Sequence, residues 1–66
     1  MDSIAVKAFI GRSVVVDAKG QNRQLVFYGR LASCDAETCL ITNALGSVCL
    51  RYADILGIRT RGDVNV

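Results

Sequence analysis

The chain contains no histidine and no proline, and only four aromatic residues, two tyrosines and two phenylalanines. Without histidine it lacks the commonest general base and metal ligand. Its carboxylates are few, and no nucleophile stands at a useful spacing from a base. These absences argue against an enzyme, and no cofactor or metal is expected. Cysteine is sparse and odd in number, with Cys34, Cys39 and Cys49 as the full set. No C-x-x-C is present, so a zinc site built from protein alone lacks ligands. An odd count without framework spacing is read as small, reduced side chains in a reducing compartment.

No apolar run reaches the ~18 residues that a membrane crossing needs, and the N-terminal stretch lacks the charged-then-apolar pattern of a signal peptide. A cytoplasmic protein with no membrane partner is the expectation. There are no repeats, linkers or low-complexity tracts, so one domain spans residues 1–66.

What remains is 52% apolar residues in a 66-residue chain carrying a net charge of +2. A core of this size rarely contributes more than roughly 3–5 kcal/mol, and small proteins add disulfides, metals or oligomerisation. With the first two disfavoured, self-association is expected, and part of the apolar surface is assigned to a subunit interface. Six of the eight basic residues are arginine, the side chain suited to stacking and to bidentate phosphate contact.

The pattern along the chain is mainly β. Asp2 or Ser3 caps a short helix over about residues 3–10, with positions 5, 6, 9 and 10 on one face and Gly11 ending it. Three β-branched valines mark a strand over 13–18, closed by the turn cluster Lys19-Gly20-Gln21-Asn22. A second strand runs over 23–34, with Leu25, Phe27 and Leu31 on one side and Val26, Tyr28 and Arg30 on the other. Gly29 inside it signals a bend, a bulge or a close backbone approach. Further strands are expected over 37–43, 47–52 and 55–61, with a tight turn at Asn43-Ala44-Leu45-Gly46 and a loose tail over 62–66. One short helix and five short, strongly bent antiparallel strands suggest closure into a small barrel, filled by Leu31, Leu40, Leu50 and Ile55.

The pattern G-x-L-x-x-x-D-x-x-x-x-L falls on Gly29, Leu31, Asp35 and Leu40, and L-R-x-x-x-I on Leu50, Arg51 and Ile55, with Ile58 continuing the last strand. With FIGRSVVVDAKG ahead of them, these residues resemble the Sm/LSm family of RNA-associated ring proteins over about residues 4–61. The resemblance implies an Sm-like barrel, a homo-oligomeric ring, and single-stranded RNA bound at pore loops. Carried over position by position, the RNA site comprises Asp35, Glu37, Cys39, Arg51 and Tyr52.

The signature is altered within that set. Glu37 stands where the family stacks an aromatic residue on a base. Cys39 stands where it often reads a base edge with asparagine, and cysteine is a weak hydrogen-bonder. Arg51 is kept, and Tyr52 replaces the following glycine, closer to the Lys-His pair of the bacterial Hfq branch. Asp35 is read as a turn cap, or as the acceptor for the Arg51 guanidinium where the two loops meet.

The family pairs the fourth strand of one subunit with the fifth of the next. The implied interface is Val48, Cys49, Leu50, Ile55, Leu56 and Ile58. Tyr28 with Arg30, and Arg59 and Arg61 with Arg12 and Lys7, are secondary basic surfaces, offset by Asp2, Asp17 and Asp63. Two other readings stand beside RNA binding: a barrel or ring that has lost RNA and scaffolds other proteins, and an SH3-like barrel taking a peptide along its sheet edge.

Overall fold

The computed structural model describes residues 1–61. The Asp2 carboxylate caps helix α1 (Ser3–Lys7) by accepting from the Ile4 N–H at 3.4 Å. The helix has five residues and stops three short of the expected end. From Val6 onward the bonds shorten to three-residue spacing, Phe9 N–H to Val6 O at 3.0 Å and Ile10 N–H to Lys7 O at 3.2 Å. Phe9 and Ile10 are indifferent helix formers, and Gly11 at φ +87° breaks the spiral. Only Val6 is buried, with Phe9 packed beside it, whereas Ala5 and Ile10 face out.

Five strands follow: β1 (Ser13–Lys19), β2 (Gln24–Cys34), β3 (Thr38–Asn43), β4 (Gly46–Arg51) and β5 (Ile55–Thr60). A single 3-10 turn, Tyr52–Asp54, separates the last two. Every strand starts and ends within a residue or so of the expected position. All pairings are antiparallel, in one sheet of order β4-β3-β2-β1-β5. The sheet is open, because β4 and β5 lie at its two ends and do not pair with each other.

The core forms one cluster with members from every strand: Val14, Val16 and Ala18 of β1, Leu31 of β2, Cys39 and Ile41 of β3, Leu50 of β4 and Ile55 of β5, joined by Val6 and Tyr52. Full burial of a side chain such as Leu31 contributes about 1.5–3 kcal/mol. Leu40 does not belong to the cluster. Leu31 pairs with Ile41, and the next pair is Ser33 with Leu40, so Ala32 is an extra residue in β2. This bulge sets Ile41 and Cys39 inward and turns Leu40 toward the opposite side, across from Cys49.

The irregularity in β2 thus falls at Ala32, not at Gly29, which pairs normally with Val14. Gly29 serves the close approach of β3. A Cβ there would lie 2.5 Å from the Thr42 carbonyl oxygen and 2.8 Å from Ile41 Cγ2. A second bulge inserts Leu56 between the partners of Ala18 and Asp17. It lets both Ile55 and Ile58 face inward and leaves Leu56 exposed. Among the described residues no helix is long and apolar enough to cross a membrane. The tail expectation, and Asp63, lie outside the described residues.

Candidate functional site

The β2–β3 hairpin and the β4–β5 connection meet at one end of the sheet. The hairpin closes where the Asp35 N–H donates to Thr38 O at 2.7 Å, and β4 extends its ladder past Thr38–Arg51 through the Tyr52 N–H to Glu37 O at 3.0 Å. Tyr52 then turns inward in the 3-10 segment, and its hydroxyl donates to the Asp35 carbonyl at 2.6 Å. The Met1 ammonium donates to Tyr52 O at 2.7 Å. Between the loops lies a shallow cleft of about 270 Å³ lined by Ala36, Glu37, Arg51, Tyr52 and Ala53.

This arrangement sorts the five expected RNA residues. Asp35, Glu37 and Arg51 are exposed. Cys39 is 1% exposed and Tyr52 6%, both within the core. The Cys39 thiol therefore does not reach a base, because strand alternation points it inward opposite Leu50. Tyr52 does not offer its ring for stacking, because the 3-10 turn rolls it beneath the hairpin. Its role is to lock the two loops together.

Burial pushes the Tyr52 phenol up to about 12, aided by the neighbouring Cys34, Cys39 and Asp35. Burial likewise raises the Cys39 thiol to about 11, with Cys34 and Cys49 adding to the effect. Both groups are held in their protonated forms.

Of the two readings of Asp35, the pair with Arg51 is not formed among the described residues. Arg51 Nε instead bonds Asp54 Oδ2 at 3.3 Å, with the arginine side chain 69% exposed. Such an exposed pair contributes about 0–1 kcal/mol and releases easily. Asp35 acts through its main chain. Sequence reasoning passed over Asp54, although its three-residue spacing from Arg51 is a readable signal. Around the cleft Asp35, Glu37 and Asp54 outnumber Arg51.

The six expected interface residues divide as well. Leu50 and Ile55 point into their own core, opposite Cys39 and Ala18, and their side chains are not available to a partner. Val48 and Ile58 are half-buried against it, while Cys49 and Leu56 are exposed. The other tight turn is held by Asn43, which accepts from the Leu45 N–H at 2.8 Å and donates to Tyr28 O at 2.7 Å. It leaves Leu45 98% exposed at the tip.

Among the described residues, no group of three or more histidine, cysteine, aspartate or glutamate side chains is placed to hold a metal ion. Comparison with protein-family models, with curated proteins and with solved structures finds no match.

Proposed function

We propose that the chain is an Sm-like small barrel, left open between β4 and β5, which closes into a homo-oligomeric ring and binds single-stranded RNA without catalysing a reaction. The observation that carries this reading is the pair of free sheet ends. Among the described residues, each of β4 and β5 has one hydrogen-bonding edge without a strand beside it, and such an edge is a template for another chain. A β4 edge joined to the β5 edge of the next copy is a head-to-tail contact. Contacts of that kind form a ring when the rotation per subunit closes. Exposed Leu56 on β5 and Cys49 on β4 would be covered there, which is the stabilisation a 66-residue chain needs.

In such a ring Arg51 recurs once per subunit. Its exposed guanidinium, held among the described residues only by Asp54, is free to exchange that partner for a phosphate, and repetition multiplies a weak contact. A second reading, a ring that scaffolds proteins instead of RNA, is favoured by the excess of carboxylates around the cleft and by the burial of Tyr52 and Cys39.

Fluorescence anisotropy with short oligo-U and oligo-A across a salt series separates the two. RNA binding at the loops predicts an affinity that falls with salt and weakens on Arg51→Ala while the assembly stays intact. An intact assembly that binds neither RNA eliminates the RNA reading and leaves the scaffold.

A further inference from the structure

The outward face of β1, β2 and β5 gathers side chains that are far apart in sequence. Directly paired antiparallel residues point to the same side of a sheet. Val14 and Val16 face the core, so Ser13, Val15 and Asp17 face away from it. The register sets Arg30, Ser13 and Arg61 in one row, the last joined by the Arg61 N–H to Ser13 O at 2.8 Å. Tyr28, Val15 and Arg59 form the next row, and Val26, Asp17 and Gly57 the third.

The Arg61 guanidinium crosses β1 diagonally to lie 5.2 Å from the Tyr28 ring centroid. This explains why Val15 is only 6% exposed although it points outward, and it leaves Tyr28 half exposed. Three arginines share the face with one carboxylate. Asp17 Oδ2 holds Arg59 at 3.0 Å, and among the described residues no ion pair involves Arg30 or Arg61. The backbones of Arg30 and Arg61 are two strand spacings apart, about 10 Å.

We propose that this face is a second binding site for single-stranded RNA, with Arg30 and Arg61 on backbone phosphates and the Arg61–Tyr28 pair as the platform for a base. Single-stranded sites combine a basic track with aromatic or guanidinium planes on which bases stack. The face supplies both, whereas an acidic polypeptide would use the charge and leave the platform idle. The site shares its ligand class with the cleft at Arg51 but none of its residues, so either can fail alone.

The test is anisotropy with fluorescent oligo-U from about 0.05 to 0.2 M salt, where each phosphate neutralised on a single strand contributes about 0.7 to the log–log slope. Arg30→Gln/Arg61→Gln keeps aliphatic stem over Val15 and removes the charge. It is expected to flatten the slope by about 1.4, which is roughly a 25-fold loss of affinity at 0.1 M salt. Each single change, the check should the pair fold poorly by circular dichroism, is expected to remove about half of that slope.

Tyr28→Leu is expected to keep the slope and weaken binding roughly fivefold or more, the share of one stacked base. Wild-type affinity and slope in the double variant overturn the proposal, as does loss of binding on Arg51→Ala alone. Failure of the wild-type chain to bind oligo-U overturns the proposal, and failure to bind oligo-A as well overturns the cleft site with it. Poly-glutamate competing as well as oligo-U at equal charge assigns the face to acidic proteins instead.

Discussion

Gly29→Ala introduces one methyl group where β3 presses on β2. The new Cβ would sit 2.5 Å from the Thr42 carbonyl oxygen and 2.8 Å from Ile41 Cγ2. An ordinary C···O contact is about 3.3–3.6 Å, so the ladder at Arg30–Thr42 has to open by roughly 0.8 Å. The obstructing atom is backbone and cannot rotate aside. Overpacking of this kind costs about 1–3 kcal/mol, partly offset by the ~0.4–1 kcal/mol that alanine gains by restricting the unfolded chain.

A net loss of about 1–2 kcal/mol is a large share of the stability of so small a domain. It corresponds to a fall in Tm of about 5–15 °C. Thermal unfolding followed by circular dichroism at one fixed protomer concentration measures it, since the proposed assembly would link Tm to concentration. Gly57→Ala is the control. Its Cβ would meet only Asp17 Oδ2 at 3.8 Å, an ordinary contact, and Tm should hold or rise slightly. An unchanged or raised Tm for Gly29→Ala would refute the close approach of β3.

Tyr52→Phe removes the bond to the Asp35 carbonyl that locks the two loops. A loss of about 1 kcal/mol, or about 4–8 °C in Tm, is expected, and an unchanged Tm would show that the lock contributes nothing. Stability should also fall in alkali. Cys39 and Tyr52 titrate higher in the folded chain than in the unfolded one, so their contribution is complete below the unfolded values and disappears as pH climbs through the folded ones. The windows run from 9.0 to about 11 for Cys39 and from 10.0 to about 12 for Tyr52. Tm should therefore hold below pH 9 and drop across this range, and a flat profile up to pH 12 would contradict the burial of both groups. In the Leu56→Asp chain, in which the proposed β4–β5 contact is broken, a maleimide under native conditions should label exposed Cys49 first, half-buried Cys34 next and Cys39 last. Cys39 labelling as fast as Cys49, read by peptide mass mapping, would place its thiol at the surface.

The strands were legible because their cues are local: the valine run of β1, the alternation of β2, and turn residues at Lys19–Asn22 and Asn43–Gly46. The helix overshot because apolar spacing does not distinguish a four-residue turn from the three-residue turns that Phe9 and Ile10 adopt. In β3 both sides are apolar, Cys39 and Ile41 inward and Leu40 outward, so periodicity could not say which side was the core. The bulge at Ala32 decides it. The same ambiguity misplaced Cys39 at the site, and Tyr52 depended on a 3-10 turn of one residue triplet. The face that unites Arg30 with Arg61 was beyond reach, because it exists only through the long-range pairing of β1 with β5. The meeting of the two loops was anticipated, but through an Asp35–Arg51 pair, where the chain uses Tyr52 instead.

The central claim is that the two free sheet ends are joined between copies. Native mass spectrometry at micromolar protomer concentration, with Leu56→Asp beside the wild-type chain, tests it most directly. The account predicts one closed multimer for the wild type and its dissociation by a charge on the exposed bulge of β5. A folded wild-type monomer at that concentration would contradict it.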